Sequence, residues 1–252
     1  MANFNRQLTG NDIVRAVCAQ MGLPMPISAT GEPNNRTAAQ MWALLNSEGI
    51  RLLKPASGYR WQVLNRTWNL TTVPGQAAYD LPDDWDSFID QTGWSKSMAQ
   101  PMGPLSPQGW AVLSAHMLST TLAVYYRMRG GKFELFNVPD TAQDLFIDYT
   151  SRAWVQASGT AGAFKDHLTE DSDLCLYDAE LICAALKLRW LTEKGFDTSV
   201  AQNAFDLLLE LAINTDTEAP VISADGGGSR GARGHGSYVA LGDGLAGPIG
   251  VA

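Results

Sequence analysis

Four carboxylates, Asp166, Glu170, Asp171 and Asp173, share one short segment with His167. Oxygen ligands gathered this way suit Mg²⁺ or Ca²⁺, and Asp166, Glu170 and Asp171 would be the working carboxylates of a hydrolase. The same residue types also suit the start of a helix. Their side-chain oxygens accept from free N–H groups, and negative charge is favoured at the positive end of the helix dipole. An apolar run begins at Leu174, so capping outweighs metal binding. A second group, Asp80, Asp83, Asp84 and Asp86, surrounds Pro82 and is explained equally well by turn chemistry.

Other reactive motifs fall short on spacing. Gly228-Ser229-Arg230-Gly231 lacks the strand before and the helix after that a nucleophile elbow needs. Gly130-Gly131-Lys132 has Tyr126 where a phosphate-binding loop requires glycine. His116, His167 and His235 are scattered, with no metal-binding interval between them. Cys18, Cys175 and Cys183 form no C-x-x-C pair and read as small apolar core residues, the last two on one face of a helix. No catalytic residue, metal or cofactor is expected. Of the eight tryptophans, Trp61, Trp68, Trp85, Trp94 and Trp154 lie in a β-rich stretch poor in Lys and Arg. A stacking platform for single-stranded nucleic acid wants bases between its aromatics, so core or subunit interface is the better reading.

Four helices must position these groups. Thr9 and Asp12 have capping-box spacing, followed by Ile13, Val14, Val17 and Met21 and stopped at Gly22. A second helix is expected from about 35 to 54, with Met41, Trp42, Leu45, Leu52 and Leu53 on its apolar side and Pro55 at its end. A third is expected to take Asp171 or Asp173 as its cap and to run from Leu174 to Lys194, with Gly195 as C-cap. The fourth, about 198 to 213, carries Val200, Ala204, Phe205, Leu208 and Leu211. So short a link between the last two favours an antiparallel helical hairpin.

Between the second and third helices the period changes to that of strands. Trp61–Leu70, Tyr79–Leu81, Trp85–Ile89, Leu122–Met128, Lys132–Phe136 and Asp144–Tyr149 are strand-like, with a Gly130-Gly131 hairpin turn and a short helix near 107–116. The expected fold class is therefore α+β: an antiparallel helical bundle with an inserted small antiparallel β domain and an extended C-terminal arm. The expected division is 1–57 and 158–217 for the helical bundle, 58–157 for the β domain and 218–252 for the arm. The arm contains GGGSRGARGHG and LGDGLAGPIG, too rich in glycine to form a core of its own.

Composition narrows the function. The 252 residues are 45% hydrophobic, enough for a sizeable core, and the net charge of −8 opposes binding DNA by wrapping it in positive charge. It is compatible with a wall that DNA slides past. No apolar run approaches a membrane span, and no membrane partner is expected.

The ordered series Leu70–Asp84, Pro104-Leu105-Ser106 with Trp110, Tyr126–Leu135, Leu145–Tyr149, Asp171–Asp173, Leu188-Arg189-Trp190 and Lys194–Asp197 resembles the head-to-tail adaptors of podoviruses, the tail-tubular or connector family. The resemblance covers about residues 10 to 213. It implies a virion neck protein, assembled in the host bacterial cytoplasm. Its copies would form a homo-oligomeric, dodecameric ring between the portal protein and the tail nozzle protein, with double-stranded DNA passing through the lumen. In that setting Gly226, Arg230, Arg233, His235, Tyr238 and Leu241 of the arm are the residues expected to meet the portal or a neighbouring subunit. Another tail or neck protein, such as a nozzle subunit, is the alternative, and a hydrolase is the more distant one.

Overall fold

A computed structural model describes residues 7–32, 34–115, 124–136, 138–160 and 162–216. Five α-helices lie among them: α1 (Gly10–Met21), α2 (Arg36–Leu53), α3 (Pro107–Ala115), α4 (Ala179–Lys194) and α5 (Ser199–Asp216). Capping places the first two as expected. Thr9 Oγ1 accepts the N–H of Asp12 and Asn35 Oδ1 that of Ala38, while Gly22 and Gly195 close α1 and α4 in the left-handed conformation, at φ 66° and 70°.

Seven strands form the path of one curled, mixed sheet: β1 (Asn65–Thr71), β8 (Asp144–Ser151), β4 (Trp94–Ser95), β5 (Gln100–Pro104), β6 (Val124–Arg129), β7 (Lys132–Leu135) and β2 (Ala78–Asp80). β3 (Trp85–Phe88) pairs with β8 beyond the short stretch that β4 takes. A second sheet orders β10 (Phe164–Lys165), β9 (Val155–Gln156) and β11 (Leu174–Cys175).

Strand alternation sets the faces of the large sheet. On β1, Arg66, Trp68 and Leu70 are half-buried, while Thr67, Asn69 and Thr71 face out. Register places Thr67 opposite Asp148 and Thr71 opposite Asp144, and both hydroxyls donate to those carboxylates, at 2.6 and 2.8 Å. Beneath lies an aromatic core in which Phe133 meets Tyr126 at 4.7 Å and Trp68 at 5.2 Å between ring centroids.

The expected antiparallel helical bundle with a small antiparallel insert is corrected on two counts. First, among the described residues eleven strands stand beside five α-helices, and the large sheet is mixed, because β5 and β6 run parallel with α3 as their crossover. Pro101 and Pro104 concealed β5, since proline cannot donate to a ladder. The strand survives because Met102 N–H reaches Gly93 O at 2.7 Å and Leu105 N–H reaches Tyr126 O at 2.8 Å. Second, the helices do not close on themselves. Their core admits Trp61 and Leu64 from the segment leading into β1, Trp154 beside β9, Val155 from β9 and Cys175 from β11.

The third helix also begins later than its apolar run. Leu174 and Cys175 are strand, and the N-cap is Asp178, whose carboxylate accepts from Glu180 and Leu181 N–H. Cys175 therefore does not share a helix with Cys183, although both are buried. Asp178→Ala should cost about 1 kcal/mol, a fall in melting temperature of about 3 °C in a chain of this size. An unchanged melt would take the cap away from Asp178.

Candidate functional site

The acidic segment 166–173 lies in the connection from β10 to β11 and folds around one side chain. Asp173 is fully buried. Its carboxylate accepts the N–H of Thr169 and Glu170, both at 2.9 Å, that of Ser158 at 3.3 Å and the Thr169 hydroxyl at 3.1 Å. Lys165 Nζ sits 3.0 and 3.1 Å from its two oxygens. Burial alone would raise the pKa of this carboxyl. The backbone donors and Lys165 outweigh burial and bring it down to about 2.

The neighbours are spent on the same task. Asp171 accepts the N–H and hydroxyl of Thr30, each at 2.9 Å, which ties the segment to the loop after α1. The carbonyls of Asp173 and Asp171 accept from Gly10 and Asn11, the first N–H groups of α1. The segment thus completes a helix start through its backbone carbonyls and not, as expected, through its carboxylates, which hold the loop itself. The helix is α1, far away in sequence, and not the one that follows. Asp166 and His167 pair with each other in the open, and Glu170 is exposed. No group of three or more His, Cys, Asp or Glu among the described residues is placed to hold a metal.

The second acidic group disperses. Asp84 accepts from Tyr149 Oη at 2.8 Å and Ser151 Oγ at 2.6 Å, with Arg66 Nε at 3.5 Å. Arg66 stacks on Phe164 at 3.5 Å, so the ion pair, its two hydroxyl donors and this stacking together link β1, β8 and β10 across the two sheets. Burial and the Asp84 carboxylate hold the Tyr149 phenol above its ordinary pKa, and burial lowers that of Arg66. Asp86 and Asp80 pair with Lys54 and Lys132. The tryptophans divide: Trp154 and Trp61 are core, whereas Trp94 is 42% exposed.

An apolar patch also stays exposed on this surface. Helix α5 was expected to present one face, but Phe205 and Leu208 pack inward while Val200 and Leu211 point out beside Leu207. The signal was in the sequence: Val200, Ala204, Leu207 and Leu211 have their own 4-3-4 spacing, interleaved with that of Ala201, Phe205, Leu208 and Ala212. At its far end α5 is pinned by Asp216, which accepts from Tyr59 Oη and Gln62 N–H, both at 2.8 Å. The arm departs from that point. Gly226, Arg230, Arg233, His235, Tyr238 and Leu241 lie outside the described residues.

The clustered carboxylates hold the fold's own backbone, and the exposed face of α5 is suited to contact. The family model for the SU10 adaptor protein matches residues 11–228, and the chain belongs to that family of phage adaptor proteins. It is accordingly a virion component that meets other phage structural proteins. No curated protein matches the chain.

Proposed function

We propose that this chain is the head-to-tail adaptor of a podovirus, a non-enzymatic subunit of a dodecameric ring between the portal and the tail nozzle. Double-stranded DNA passes through the ring during ejection without sequence-specific contact. Copies assemble in the host cytoplasm and remain in the neck of the virion. Residues 1–57 and 158–217 act as the helical part, 58–157 as the β domain and 218–252 as the arm. Gly226, Arg230, Arg233, His235, Tyr238 and Leu241 make the arm's contact with the portal or a neighbouring subunit. The observation that carries this reading is the family match, which runs through helices, both sheets and the start of the arm. The net charge of −8 supports a wall to which DNA does not adhere.

Mixing the purified protein with its phage's portal ring and imaging the product by electron microscopy tests it. A collar of regularly spaced density beneath the portal is the expected result. A bare portal, with the protein bound elsewhere on the tail or not at all, would overturn the reading in favour of a nozzle or neck protein. Removing residues 218–252 should leave a folded subunit that binds the portal poorly.

A further inference from the structure

Helix α5 has two apolar faces, and the core uses one. Ala201, Phe205, Leu208 and Ala212 pack inward, while Val200, Ala204, Leu207 and Leu211 fall within about 60° of one another on a second face. Val200 is 79% exposed, Leu207 68% and Leu211 57%. Toward its N-terminal end this stripe forms, with Ala184, Lys187 and Leu191 of α4, a groove of about 270 Å³. Contiguous exposed apolar surface of this kind marks a contact site.

We propose that in the free subunit this stripe and groove seat the chain's own C-terminal segment, Ser237–Leu241. The first reason is reach. Asp216 is held in place by Tyr59 and Gln62. Leu211 lies about 8 Å and Ala204 about 18 Å back along the helix from it. Some 20 residues separate Asp216 from Ser237, and a chain of that length and glycine content has a root-mean-square span of about 25 Å. Span and distance match, which places the effective concentration of the segment in the ~mM range.

The second reason is chemistry. Tyr238-Val239-Ala240-Leu241 is an unbroken apolar run and holds the one aromatic residue of 217–252. The third is charge. Before its terminal Asp216, helix α5 carries Asp206 and Glu210 and neither Lys nor Arg, and these two acids lie on the side of the stripe away from the core. Arg230 and Arg233 stand just upstream of the apolar run, and no acid lies between Gly226 and Gly242. Lys187 on the α4 wall directs those arginines toward α5. The inference goes beyond the adaptor reading and does not rest on it, because it concerns the subunit before it meets a partner.

Limited trypsin digestion of the full chain, followed by mass spectrometry at Arg230 and Arg233, tests the seat. Cleavage there should be about tenfold faster in the Leu207→Asp/Leu211→Asp variant than in the unaltered protein, because proteolysis follows the population of the open form. Both side chains are exposed, so the circular dichroism spectrum should not change. Tyr238→Ser/Leu241→Ser should accelerate cleavage equally, and the rate should not depend on protein concentration. Equal cleavage in all three proteins would overturn the proposal. So would protection that grows with protein concentration, which would put the segment on a second copy.

Discussion

Asp173→Ala should lower the stability of the fold by about 3–5 kcal/mol, because it leaves a lysine and several backbone donors without the buried charge that organises them. The carboxylate holds the N–H groups of Ser158, Thr169 and Glu170 and the ammonium of Lys165. The segment it shapes presents the carbonyls that receive Gly10 and Asn11. The loss should therefore reach α1 and not stay in the loop. The pH dependence has a definite sign. The carboxyl has a folded pKa of about 2, against an ordinary 3.8. A depressed pKa adds stability that is fully present above pH 4 and disappears as the pH falls toward 2, here about 2 kcal/mol. Urea midpoints at pH 7, 4 and 2.5 would show it: the Asp173→Ala protein should lack this part of the acid slope. A variant with an unchanged midpoint at pH 7 would sink the assignment.

Gly49→Ala is the second large effect, and its sign is the reverse of what local propensity dictates. Alanine in place of glycine inside a helix ordinarily gains about 0.5–1 kcal/mol. Gly49, however, lies in α2 against the indole of Trp154, and an added Cβ would stand inside 3.0 Å of Cζ2, Cε2 and Cη2. The ring has nowhere to go. Trp154 is fully buried and stacked on Tyr177 at 5.8 Å, and Tyr177 Oη donates to the Gly49 carbonyl at 3.1 Å. The substitution should cost about 3 kcal/mol, at the upper end of overpacking losses. Trp154→Phe makes room, so the double variant should lose less than the sum of the two singles by about 1 kcal/mol or more. A melting temperature that stays level or rises in Gly49→Ala would contradict the close approach.

Much of the helical frame was legible because its signals are local. A hydroxyl at Thr9, an amide at Asn35 and glycines at 22 and 195 act within one turn of the residues they terminate, so α1, α2 and the end of α4 fall where the sequence puts them. The Gly130-Gly131 hairpin between β6 and β7 is legible for the same reason. The start of α4 was not, because an apolar run beginning at Leu174 suits a buried strand as well as a helix. The choice was made by pairing with β9, which contributes Val155 opposite Cys175. In the same way, the acidic composition of 166–173 suggested a side-chain cap for the helix that follows, whereas the Asp173 carboxylate holds its own loop and Asp178 is the cap.

By itself the sequence determined the ends of α1 and α2, the close of α4, the hairpin turn, the acidic balance and the family to which the chain belongs. The tertiary structure alone decided the parallel pairing of β5 with β6, the burial of Asp173, the need for glycine at 49 and the division of α5 into a packed and an open face. The physical reason is range. Caps and turns are satisfied by atoms a few bonds away, whereas a buried charge, a close approach or a free apolar face is defined by which distant surface arrives to meet it.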